Sequence, residues 1–130
     1  MKFEYLLVVF VGGGIGAVFR YLLSFLISSY FGVVFPMGTL SVNTIGSFLI
    51  GFFAYLSEIS IISPTLRVFI MIGVIGGFTT FSTFSLENVN LIRDGEFLYF
   101  SLNVIISLLL GVLSVILGYW VGEILIGRKV

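Results

Sequence analysis

The side chains best equipped for chemistry are concentrated in GGFTTFSTFS, residues 76–85, where five hydroxyls interleave with three phenylalanines behind a glycine pair. A helix broken there exposes carbonyls that can hold a cation. The N-terminus of the resuming half-helix favours an anion. Phe78, Phe81 and Phe84 recur at i, i+3 and i+6, along one helical side if the helix resumes. Aromatic edges are electropositive, so a ring edge can face an anion. A glycine kink whose freed carbonyls are rebonded by Ser and Thr, with the rings as packing, accounts for the same spacing. Beyond this motif Arg20, Asn43, Glu87, Asn103 and Ser107 stand out among the polar groups of the apolar stretches. An arginine within a span costs roughly 2.5–3.5 kcal/mol by insertion scales. Arg20 therefore marks either a functional group or a side chain snorkelling to the interface. Glu87 reads as a helix-end group or as a partner for Arg20.

Enzyme chemistry has little to work with. The chain contains no cysteine and no histidine, which removes thiolate catalysis, disulfides and the commonest general base and metal ligand. No nucleophile–base pair is evident. GGGIGA, residues 12–17, superficially echoes a dinucleotide-binding loop, but that motif needs a preceding strand and a later acidic residue, and both are missing here. Zero formal net charge gives no sign of a nucleic-acid partner.

The elements that must position these groups are membrane helices. Only 9% of the 130 residues are charged, against about 25% in a soluble domain, and the mean hydropathy is +1.27. A helix needs roughly 20 apolar residues to cross a bilayer. Four such spans are expected, at about 3–28, 38–57, 67–91 and 97–126, in a single all-α transmembrane domain. The N-terminal stretch is read as the first span rather than a signal peptide, because it lacks a cleavage site and further spans follow. Gly76 lies about 14 Å along the helix from Arg67, near mid-bilayer. Non-helical backbone at that depth survives only when shielded by protein or lining a wet cavity.

Each span also carries a stripe of small or polar residues. Gly12, Gly16, Arg20, Ser24 and Ser28 mark the first, Asn43, Ser47, Gly51 and Ala54 the second, and Asn103, Ser107, Gly111, Ser114 and Gly118 the fourth. Small residues let helices approach closely in lipid, whereas buried amides and guanidinium groups must find partners. One four-helix chain is small for enclosing a pathway, which points to an oligomer. Lys2, Arg67, Arg128 and Lys129 lie on the side of the termini, against Arg93 opposite and Arg20 part-way towards it. The positive-inside rule favours cytoplasmic termini, and so slight a bias is also what a protein inserting in both orientations would show.

GGGIGAVFRY (12–21), GTLSVNTIGSFLIG (38–51) and GGFTTFSTFSLE (76–87) resemble the Fluc (CrcB) family of fluoride ion channels. The resemblance covers essentially the whole chain, and the third motif is its most specific part. It implies an antiparallel homodimer of four-helix subunits in the cell membrane of a prokaryote, with two fluoride pathways and passive fluoride export. It also implies a structural sodium ion at the dimer centre, held by backbone carbonyls of Gly76 and Thr79. By the same resemblance Phe81, Phe84 and Asn43 line the pathway, Ser82 and Thr83 supply hydroxyls near it, and Arg20 sits near the vestibule. Many relatives carry a tyrosine where this chain has Asn103; an amide still donates hydrogen bonds, so a polar track through Asn103 and Ser107 is expected. A small multidrug-type, proton-coupled transporter is the alternative of similar size, but it uses a carboxylate within the first span. The acid there is Glu4, at its edge. A non-conducting assembly subunit, with stripes for packing alone, is the third reading.

Overall fold

The structure is a computed structural model that describes residues 3–32 and 34–127. Lys2, Arg128 and Lys129, on which the orientation argument leans, lie outside the described residues. Among the described residues four helical segments are long and apolar enough to cross a membrane: Phe3–Phe31, Met37–Glu58, Pro64–Arg93 and Phe97–Ile126. Local chemistry sets their ends. Gly32 takes φ +80° and donates to Ser28 O, closing the first span. Pro64 opens the third one turn earlier than hydropathy suggests, because Ser63 caps it by accepting from Leu66 N at 3.2 Å and proline fits the first helical position. Gly95, at φ +78°, lets Glu96 N fold back onto Leu91 O at 2.8 Å, which makes the tight turn into the fourth span.

The third span is not one regular helix. Pro64–Arg67 is α-helical, Val68–Ile75 is π-helical, Gly76–Phe78 is α-helical and Phe81–Arg93 is α-helical again. Between the last two, Thr79 (φ −82°, ψ 155°) and Thr80 (φ −148°, ψ 123°) are extended. Gly76 and Gly77 are therefore helical themselves, and the non-helical backbone falls on the two threonines. What Gly77 contributes is closeness: a Cβ there would sit 2.5 Å from Gly13 O. Two extended residues also destroy the expected phenylalanine row. Phe78 is buried on the side of Phe19, Leu23 and Val74, whereas Phe81 is 78% exposed on another face.

Packing follows from where side chains are missing. The first span lies against the early part of the third, with Gly12 and Gly16 facing Gly73 and Val74. A Cβ on Gly12 would meet Phe69 O at 2.7 Å, and one on Gly16 would strike Val74 O. The second and fourth spans form the other close pair, with Gly51 against the Val115 backbone and Gly118 against that of Phe48. In lipid there is no hydrophobic drive between helices, so backbone-to-backbone approach supplies the dispersion contact that holds them. The glycine stripes of the first, second and fourth spans thus serve packing. After Thr80 the third span turns to the fourth, and the second span touches every other segment.

Among the described residues only Val42 and Asn103 have fully buried side chains of any size, and long rows of Leu, Ile, Val and Phe face outwards. Lipid suits those rows. At the end of the bundle near the C-terminus, Tyr55 donates to Gly127 O at 2.6 Å and Tyr119 to Glu58 Oε2 at 2.6 Å, so both phenols have partners at the interface.

Gly118→Val should lower the thermal unfolding midpoint of the protein in detergent, by the equivalent of about 1–3 kcal/mol of overpacking. Gly14→Ala, where an added Cβ meets nothing within 4 Å, should leave that midpoint unchanged or slightly raised.

Candidate functional site

The extended pair Thr79–Thr80 creates a problem that the second span solves. Two successive peptide groups leave the helical ladder near mid-span, and a buried unpaired peptide group costs several kcal/mol in hydrocarbon. Asn43 meets Thr80 with both ends of its carboxamide. Its Nδ2 donates to Thr80 O at 2.9 Å, and its Oδ1 accepts from Thr80 N at 2.8 Å. An amide is the side chain that can do this, because it carries a donor and an acceptor side by side. Asn43 Nδ2 carries a second N–H beyond this pair, and the residue forms part of the cavity wall.

Thr80 completes the junction. Its Oγ1 accepts from Thr83 N at 3.2 Å, capping the helix Phe81–Arg93, and donates to Thr83 Oγ1 at 3.0 Å. The cap leaves the first-turn N–H groups of Phe81 and Ser82 without intrahelical acceptors, as at any helix start. These rearrangements also free carbonyls. Thr80 N, which would close onto Gly76 O in a continuous α-helix, is bonded to Asn43. Thr83 N, which would close onto Thr79 O, is bonded to the Thr80 hydroxyl. Gly76 and Thr79 both line the same cavity. They are hard oxygen donors of the kind that coordinates alkali and alkaline-earth cations. Among the described residues no cluster of acidic side chains could do so instead.

That cavity has a volume of about 510 Å³ and lies between the second, third and fourth spans. Its wall brings together Asn43, Phe81, Phe84, Ser107, Gly76 and Thr79. The rings of Phe81 and Phe84 lie 5.7 Å apart, tilted by 40°. Asn103 is 1% exposed and stands behind the wall, reaching the cavity through Ser107, whose Oγ donates to Asn103 Oδ1 at 3.3 Å. Ser82 and Thr83 are exposed and off the wall; they reach it through Thr80 Oγ1, with Ser82 Oγ 3.4 Å away. Arg20 lies on the first span, away from this cavity, and forms no ion pair among the described residues. Glu87 does not pair with it: Glu87 Oε1 accepts from Thr39 at 2.6 Å, and its Oε2 is buried without a hydrogen-bond partner among the described residues.

Two residues of the site escape a reading of the sequence that weighs hydroxyls as a group. Thr80 is the pivot of the junction, and its signal is a threonine three positions before a second one, the spacing of an N-cap and its N3 position. Asn88 accepts from Asn103 at 3.0 Å and donates to Phe84 O at 2.9 Å. Asn88 lies a few residues before the 93–96 turn and Asn103 a few after it, which brings them together across an antiparallel pair.

The family model for "CrcB-like protein, Camphor Resistance (CrcB)" matches residues 7–119. A protein of Shewanella baltica (strain OS185) named "Fluoride-specific ion channel FluC" is 50% identical over 113 residues, covering 87% of this chain and 91% of that protein. One of the same name from Aquifex aeolicus (strain VF5) is 45% identical over 114 residues, covering 87% and 92%.

Asn43→Leu should destabilise the protein by about 2–6 kcal/mol, since it strands a buried N–H and a buried C=O at roughly 1–3 kcal/mol each. Thr80→Val, which removes the cap, should cost about 1 kcal/mol. Denaturant or thermal unfolding in micelles gives both values.

Proposed function

The chain belongs to the CrcB-like family, and from that premise we infer that it is a fluoride-selective ion channel, a multi-pass protein of a prokaryotic cell membrane that lets fluoride leave the cell passively. The observation that carries this reading is the cavity wall at mid-span, in a chain half identical to proteins named for fluoride. Fluoride is small and strongly hydrated. A pathway for it must replace water with donors and still release the ion. The free N–H of Asn43, the Ser107 hydroxyl and the edges of Phe81 and Phe84 are neutral, weak and closely spaced. A lysine ammonium in the same place would hold the anion too tightly. Ser82 and Thr83 act one step back, through Thr80, and Arg20 acts nearer the interface, where its charge draws anions towards the mouth.

The proposed assembly is an antiparallel homodimer with two pathways. Support comes from Phe81, a residue of the cavity wall that is 78% exposed at the depth of a hydrocarbon core. A second copy in the opposite orientation would cover that flank and give each pathway its remaining wall. The interruption of the third span at Thr79–Thr80 belongs to the same proposal, as the element that turns both the anion-facing helix start and the carbonyls inwards. Gly76 O and Thr79 O would hold a sodium ion between the two copies, each carbonyl supplied twice by the symmetry. The fit rests on their lost helical donors. When bound, the ion supplies positive charge that neutralises convergent carbonyl dipoles at the interface.

The proton-coupled transporter reading fares worse. Glu4 sits exposed in the first turn of the first span, and the other acids of the spans, Glu58, Glu87 and Glu123, are on the second, third and fourth.

Purified protein in liposomes should release fluoride when a potassium ionophore balances charge, and should release chloride far more slowly; vesicles that retain fluoride would overturn the reading. Phe81→Ile combined with Phe84→Ile should cut fluoride efflux by about tenfold or more, the rate equivalent of losing ~1.4 kcal/mol along the path, while size-exclusion chromatography shows an unchanged oligomer.

A further inference from the structure

Behind Ser107 runs a buried polar chain whose far end, Asn88, has no role in that account. Ser107 Oγ donates to Asn103 Oδ1 at 3.3 Å, Asn103 Nδ2 donates to Asn88 Oδ1 at 3.0 Å, and Asn88 Nδ2 donates to Phe84 O at 2.9 Å. Both amides are enclosed, Asn103 at 1% and Asn88 at 6% exposure, so water does not compete for them. A carboxamide can offer either end to a neighbour, and its partners decide which. Here the direction is set at one terminus. Phe84 O is a carbonyl and can only accept, so Asn88 must turn its NH2 to it and its oxygen to Asn103. Asn103 must then offer its NH2 to Asn88 and its oxygen to Ser107. Ser107 is left as the donor. Its hydroxyl proton is committed to Asn103 while the residue itself forms part of the cavity wall.

We propose that Asn88, which touches neither the cavity nor an anion in it, is a positioning residue: acting through Asn103, it holds the Ser107 proton off the pathway, so that Ser107 binds fluoride only by giving up its bond to Asn103. That bond is the longest of the three, and the exchange is therefore made at the weakest link while the two amides stay in place. The grip of Ser107 on the ion is reduced by the bond it must break, which favours release. The inference rests on the fluoride-channel reading and adds to it a residue that sets how tightly one station of the pathway holds the ion.

Asn88→Leu removes the acceptor for Asn103 Nδ2. Asn103 is then free to turn its NH2 to Ser107 Oγ, which releases the hydroxyl proton to the cavity. Initial rates of fluoride efflux from liposomes, measured across fluoride concentrations, should show the half-saturating concentration falling by roughly threefold or more, the scale of one net hydrogen bond, with a lower maximal rate. Structural damage alone would lower the maximal rate without tightening the half-saturation. In a Ser107→Ala background Asn88→Leu should leave half-saturation where Ser107→Ala alone puts it, because the proton it would release is gone. Asn103→Leu frees the same proton from the nearer side and should reproduce the fall, which decides the matter if Asn88→Leu does not fold. An unchanged or raised half-saturation in the folded variants, or a shift that persists without the Ser107 hydroxyl, overturns the proposal. Wild-type vesicles that pass no fluoride would overturn the channel reading and this inference together; wild-type flux with unshifted variants would overturn the inference alone.

Discussion

The two hydrogen bonds between the Asn43 amide and the Thr80 peptide are the constraint on which the rest of the site depends. Backbone leaves the helical ladder at Thr79 and Thr80, at a depth where lipid offers nothing in return. A side chain on the second span must therefore supply both the missing donor and the missing acceptor, at one height and in one plane. Once it does, three consequences follow together. A new helix start is created at Phe81, two carbonyls are left without their helical donors, and the remaining N–H of Asn43 is held at the cavity wall. Each of these groups is useful because it is already bonded in place elsewhere and does not need to reorganise to meet an ion.

The glycines make that geometry reachable. Gly12, Gly13 and Gly16 bring the first span against Gly73, Val74 and Gly77, so the early part of the third span is anchored immediately before it changes conformation. Gly51 and Gly118 do the same for the second and fourth spans. Two close helix pairs are thus joined by a third span that begins on one pair and ends on the other. The cavity is the space left where it crosses. A regular α-helix from Pro64 to Arg93 would keep one face to the first span throughout, and Phe84 would then not reach the wall it shares with Ser107.

The polar groups sort into two kinds. Some close the structure on itself: Thr39 with Glu87, Tyr55 with Gly127, Asn88 with Asn103. Others keep a bonding capacity turned to the cavity, and these are all neutral. In the proposed channel, neutral donors in a low-dielectric wall would replace part of a small anion's hydration. They do not add the fixed charge that would trap it. The lone guanidinium of the first span stands apart from them, towards the interface.

Much was legible in the order of residues alone. Composition and hydropathy determine four membrane helices, because length and apolarity are properties of a segment and need no partner. The hydrophilic turn around Gly95 and the packing role of Gly12, Gly16, Gly51 and Gly118 are local signals of the same kind. Asn43 and the 76–85 motif stand out because polarity in a span must be matched. The matching itself was decided only by tertiary structure. Sequence cannot say that the extended residues are Thr79 and Thr80 rather than the glycines before them, since a glycine permits irregular backbone without requiring it, and here Gly77 is needed for closeness to Gly13 instead. Nor can it say that Phe78 leaves the row of Phe81 and Phe84, that Glu87 goes to Thr39 and not to Arg20, or that Asn103 stands behind Ser107. Those choices turn on the rotation of one helix against another, and rotation is set by which backbones approach each other across the bundle.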